Sequence, residues 1–176
     1  MKKLILILTI LFAQTNINAQ SLFDKYEDID DITSIIVTDE MFKLIGEIEP
    51  EGKEAKDDIS VLKDITGLKI FTTENENLAK RMRADAAKYI GNKKMVELMR
   101  IKDKEANVKF YFIKGKQAHH AKELIMVVHE KEDGKNRTVV MLVTGNIDLK
   151  KLSKLNSKVK VVHGKYLEKV EEHEKE

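Results

Sequence analysis

The chain has 176 residues, 35% of them charged, a formal net charge of +2 and no cysteine. That length suits one domain with a core of its own. The lack of cysteine excludes a disulfide framework and a cysteine-ligated zinc site, and near-neutrality excludes the concentrated basic face that nucleic-acid binding needs.

The first 19 residues read as a cleavable export signal. Lys2 and Lys3 form a positive start, and residues 4–13 are an apolar run about half as long as a bilayer span requires. Ala19 supplies the small residue for cleavage after position 19, with Gln20 as the alternative. Without a cysteine no lipid anchor can follow, so the expected location is periplasmic or secreted. Lys2 and Lys3 account for the whole +2, which leaves a neutral mature chain of 157 residues. No later apolar run is long enough to span a bilayer, so no transmembrane segment is expected in it. The expected division is 1–19 signal peptide, 20–164 a single α+β domain, and 165–176 a charged C-terminal tail.

Residues 20–31 are acidic, with Asp24, Glu27, Asp28, Asp30 and Asp31. Phe23, Tyr26 and Ile29 recur at a spacing of three, as a helical turn docking an apolar edge would require. Asp28-x-Asp30-Asp31 lacks the sixth-position Gly and twelfth-position Glu of an EF-hand calcium loop, so a solvated acidic lead-in is the expected role. Residues 32–37 are rich in β-branched side chains and predict a strand. Thr38 or Asp39 can then cap a helix whose inward face is Met41, Phe42, Ile45 and Ile48. Pro50 and Gly52 mark a loop.

A second helix is predicted over 54–65, with Ala55, Ile59, Leu62 and Ile65 on one face and Gly67 ending it. Residues 68–72 read as a brief strand. Thr73-x-x-Glu76 has the form of a capping box. It opens the strongest helical pattern of the chain, running to Ile90, with Leu78, Met82, Ala86 and Tyr89 inward and Gly91 as C-cap.

From Lys94 the hydrophobic period falls to two. Residues 95–101, 108–113, 124–129 and 138–144 predict four strands with short links, hence antiparallel neighbours and a C-terminal meander. Asp133-Gly134 is a hairpin signal. Val108, Phe110 and Phe112 share one face. The last two strands are apolar on both faces, which predicts central positions. The final strand is expected to stop at Gly145-Asn146, with Asp148 opening a short helix bearing Leu149, Leu152 and Leu155. Residues 158–163 can add an edge strand.

Chemical motifs are sparse. His119-His120 falls in a polar link where neighbouring side chains diverge, and no His-x-x-x-His occurs, so no metal site is predicted. His129 ends an apolar strand and reads as a boundary residue, and a hydrolase could combine it with acids from separate segments. Gly145-Asn146 could offer backbone N–H groups to an anion, although a turn or bulge is the ordinary role. The serines sit in no nucleophile-elbow pattern. Lys80-Arg81-x-Arg83 shares its helix with Glu74, Glu76 and Asp85, as a mixed solvated face does. No catalytic residue and no cofactor is predicted.

Several of these segments carry a family resemblance. An export signal, Phe23-x-x-Tyr26, the strand 32–37 leading to Met41-Phe42, and Gly145-Asn146-Ile147-Asp148-Leu149-x-x-Leu152 resemble the exported family called domain of unknown function 4252. The resemblance implies an exported protein of Gram-negative bacteria with no established activity. Many members of that family are lipoproteins, and this chain lacks the cysteine for it.

Together these readings predict an α+β fold. A mainly antiparallel sheet of about five or six strands carries about three or four helices, mostly on one face. If only one face is covered, Ile125, Val127, Val140 and Leu142 are left for a partner, a small apolar ligand or a second copy of the chain. The expected function is a non-enzymatic one, binding or assembling with another cell-envelope component or with itself. A periplasmic carrier of a small apolar ligand and a hydrolase using Asp/Glu and His are the alternatives.

Overall fold

A computed structural model of the chain describes residues 22–47, 62–132 and 134–151. The signal peptide, most of the 54–65 helix, the strand at 158–163 and the charged tail lie outside the described residues.

A short 3-10 helix, Asp24–Tyr26, precedes strand β1, Thr33–Thr38. Helix α1, Asp39–Glu47, follows directly. Asp39 and Glu40 in its first turn suit the positive end of the helix dipole, and Asp39 also pairs with Lys43 one turn on, at 2.5 Å. Phe42 is its buried side chain, whereas Met41, expected inward, is half exposed. Met41 precedes Phe42 by one residue, about 100° around the helix, which carries it off the buried stripe.

Strand β2 runs Ile65–Thr73. Ile65 therefore begins a strand rather than closing a helix, and Gly67 lies within that strand, opposite Thr38 on one side and Thr144 on the other. Helix α2, Glu76–Asn92, is capped by Asn75, whose Oδ1 accepts from the N–H groups of Asn77 at 3.0 Å and Leu78 at 3.2 Å. This replaces the expected Thr73 capping box. The Thr73 hydroxyl is engaged in closing β2, donating to the Asp31 carbonyl at 2.7 Å and accepting from the Asn75 N–H at 3.1 Å. The helix also passes through Gly91 to a cap at Lys93, and Lys94 takes the positive φ of 50° that turns the chain toward the next strand.

Four strands follow: β3 (Val96–Lys102), β4 (Ala106–Lys114), β5 (His120–Glu132) and β6 (Lys135–Asp148). They form the expected antiparallel meander. Among the described residues the sheet has six strands in the order β1-β2-β6-β5-β4-β3, every neighbouring pair antiparallel. The fold is α+β, as predicted, and β5 and β6 are central.

Strand β6 does not stop at Gly145. It continues to Asp148 because Gly145 and Asn146 form a bulge, set against a single residue of β5 between Ala121 and Glu123. Gly145 has a φ of +143°, and a Cβ there would lie 2.2 Å from the Asp64 carbonyl oxygen. Only glycine permits that approach. Beyond the bulge Asp148 does cap the following turn, its Oδ1 accepting from Lys150 and Lys151 N–H groups at 2.9 and 3.2 Å.

The two described helices pack on opposite faces of the sheet. On one face α2 and the 3-10 helix cover Phe71, Ile125, Val140 and Leu142, through Phe23, Tyr26, Met82 and Ala86. Ile125, Val140 and Leu142 are three of the four positions the sequence left open for a partner, and the fourth, Val127, packs partly buried against the same cluster. Ile125 and Val140 are fully buried there. On the far face Phe42 of α1 joins Ile65, Leu124, Val143 and Ile147. A third cluster on that far face, toward β4, contains Val108, Met126, Val128 and Val139.

Candidate functional site

His129 stands opposite Thr138 on the α2 face of the sheet. Its Nδ1 lies 3.2 Å from Thr138 Oγ1 and 3.4 Å from Arg83 Nη1, and the Arg83 guanidinium also donates to Thr138 Oγ1 at 2.9 Å. The partner of His129 is thus a cation and a hydroxyl, not an acid. Glu130, one residue on, points to the far face, where Arg137 engages its carboxylate. Alternation along the strand separates the histidine from the acid beside it in sequence. Arg83 is drawn inward from Lys80 and Arg81, which are exposed, so the basic run forms no single patch.

His119 lies in the β4–β5 link and His120 opens β5. His119 takes a φ of +66°, and His120 Nδ1 lies 3.2 Å from the Ala118 carbonyl. Among the described residues no three His, Asp or Glu converge as metal ligands. Asp31 accepts from the Asn75 side chain at 2.9 Å, while Asp28 and Asp30 face solvent. The Asn146 N–H donates to the Asp64 carbonyl at 2.8 Å, so that donor of the anion reading is already used. An open depression of about 320 Å³ nearby is lined by Lys116, Gln117, Lys122, Gly145 and Asn146. A second, of about 250 Å³, lies by the β3–β4 turn between Asn107, His129 and Lys131.

Three polar clasps fasten the helical segments to the sheet and to one another, and none is marked by a motif. Tyr89 donates to the buried Glu123 carboxylate, which Lys93 also meets at 2.6 Å. Tyr26 donates to Asp85 at 2.5 Å, and Lys25 pairs with the same carboxylate. Lys69 of β2 reaches both Asp24 and Glu27, at 2.6 and 2.7 Å. Burial, then hydrogen bonds to carboxylates, raise both phenols above their ordinary value. Burial opposes the charge on Lys69 and on Asp85. In each the ion-pair hydrogen bonds prevail, so the lysine is raised and the carboxyl lowered. These groups hold the fold; each is held in the form that its partner needs.

The surface that stands apart is the edge at β1. Ile35 is 50% exposed and Ile36 39%, with Met41 at 50% and Leu44 at 60% on the adjoining α1. Strand β1 is Thr-Ser-Ile-Ile-Val-Thr, with no lysine and no proline, the residues that commonly guard a sheet edge. Among the described residues its outer side pairs with nothing. The sequence showed a strand here but not that it is an edge, because that depends on β6 closing against β2.

The family described as Domain of unknown function (DUF4252) matches residues 26–155, from the 3-10 helix through the whole sheet. The chain belongs to that family. No curated protein and no solved structure matches it. In this member of DUF4252, no helix among the described residues is long and apolar enough to cross a membrane.

Proposed function

We propose that this DUF4252 protein is exported by its N-terminal signal and serves as a non-enzymatic binding component of the cell envelope, receiving its partner on the edge of β1 and the adjoining side of α1. One observation carries the reading: Ile35 and Ile36 stand exposed on an edge strand without charged or proline guards, with Met41 and Leu44 exposed beside them on α1. Such an edge offers a row of backbone N–H and C=O groups to an incoming strand, and apolar side chains flank it to add affinity.

The test places a photo-crosslinking side chain at Leu44 and, as control, at the exposed Lys88 of α2 in cells exporting the chain. Position 44 should give discrete adducts that Ile35→Lys abolishes, and position 88 should not. Equal labelling at both positions would reject the edge as a docking surface. Export is tested separately. Replacing Leu6 and Leu8 by Asp should leave uncleaved precursor in the cytoplasm, and normal processing would reject the signal.

A further inference from the structure

The partner that best fits the β1 edge is the opposite edge of a second copy. Six strands alternate in direction across the sheet, so the two edge strands, β1 and β3, run oppositely. A second copy laid in the same orientation therefore brings its β3 antiparallel onto β1, and the α2 faces of both copies stay on one side.

The side chains at the two edges are complementary. On the α2 face, the β1 edge is acidic. Residues 22–31 hold five acids against one lysine, with Lys69 paired to Asp24 and Glu27. The loop bearing Asp28, Asp30 and Asp31 lies over β1, as the 3.2 Å bond from Ser34 Oγ to the Glu27 carbonyl fixes. On the same face the β3 edge carries Arg100 and Lys102, with Lys109 opposite Arg100, and Glu97 as its acid. On the far face both edges are apolar: Ile35, Met41 and Leu44 at one, and Val96, Met99 and Ile101 at the other. A bulge at Leu98 interrupts β3, which leaves residues 99–102 as the regular stretch for pairing.

We infer that copies of this chain associate head to tail, β1 of one against β3 of the next, into a continuous antiparallel sheet. The inference rests on the reading of β1 as the docking edge and names its occupant. A symmetric β1–β1 contact would set acidic loop against acidic loop, and a β3–β3 contact would set lysine against lysine. The head-to-tail contact does neither. It also leaves a free β1 and a free β3 at the two ends, so assembly is open-ended.

The chain contains no cysteine, which makes disulfide trapping free of background. Ile35→Cys is paired with Met99→Cys, and separately with Ile101→Cys, in chain purified after export. The mixture of a β1 variant with a β3 variant should give a dimeric adduct that neither variant gives alone. Sedimentation of the unmodified chain should show a mass that rises with concentration without a plateau, and high salt should lower it. Ile35→Lys should hold the chain monomeric with an unchanged circular dichroism spectrum. Adducts from the β1 variant alone would replace the inference with a symmetric dimer. A monomer at every concentration, with no adduct, would overturn it. If that monomer still crosslinks from position 44 to a different envelope protein, the docking edge stands and only its occupant is wrong.

Discussion

Tyr89 of α2 and Glu123 of β5 join helix to sheet by a hydrogen bond from the phenol to a carboxylate that is 6% exposed. Lys93, one turn beyond Tyr89, supplies the compensating charge. Tyr89→Phe keeps the ring and removes only the donor. It should cost about 1–3 kcal/mol, because a buried ionised acceptor loses one of its partners. Urea unfolding of the two proteins measures it, and equal midpoints would mean that the bond contributes nothing.

The same geometry sets the response to alkali. Burial, and then hydrogen bonding to Asp85 and Glu123, raise Tyr26 and Tyr89 above the ordinary value of 10.0. Above pH 10 these phenols ionise in the unfolded chain and stay protonated in the native one. The native state then binds more protons, so stability is full below that pH and falls as pH rises, by about 1.4 kcal/mol per unit for each group. Phenolate absorbance from these two rings should appear only together with loss of the circular dichroism signal. Their ionisation near pH 10 in an intact fold would contradict the structure.

Two glycines should respond in opposite directions. At Gly145 a methyl group would lie 2.2 Å from the Asp64 oxygen and 2.8 Å from Ile65 Cα, at a φ of +143°. Gly145→Ala should cost more than about 3 kcal/mol. Gly91 is helical, and a methyl group there meets nothing within 4 Å. Gly91→Ala should add about 0.5–1 kcal/mol. Thermal unfolding of the pair reads both signs, and a stable Gly145→Ala protein would show that β2 and the bulge can separate.

Val140 is 0% exposed, in the centre of the α2 face. Val140→Asp places a charge there with no partner at hand and should cost more than about 3 kcal/mol. A loss below about 1 kcal/mol would mean that α2 does not seal that face.

The meander is legible in the amino-acid sequence because period-two alternation and short links are local signals. So is the central place of β5 and β6, since both faces of each are apolar. Which helix covers which face is not local. Ile125 and Val140 could look open only until α2, starting at Glu76, is laid across them. At the start of α2, Thr73 and Asn75 both offer capping oxygens. The cap falls to Asn75 because Thr73 still belongs to β2, its hydroxyl donating to the carbonyl of Asp31, distant in sequence, and accepting from the Asn75 N–H. The clasps join residues far apart, such as Tyr26 to Asp85 and Tyr89 to Glu123. Their residue types recur throughout a chain this rich in charge, so no spacing could single them out.

Strand β6 is the last strand of the described sheet to be synthesised, yet it lies between β2 and β5. A nascent chain that ends before it holds two separate pieces, a β1-β2 pair and a three-stranded meander, each with an unpaired apolar edge. Sheet closure therefore waits for residues near the end of the chain, and the pairings of β6 with β2 bridge long sequence separations that slow folding. Until β6 arrives, β2 and β5 are edges in need of a strand. In that interval the chain is most exposed to mispairing and most in need of a protecting chaperone.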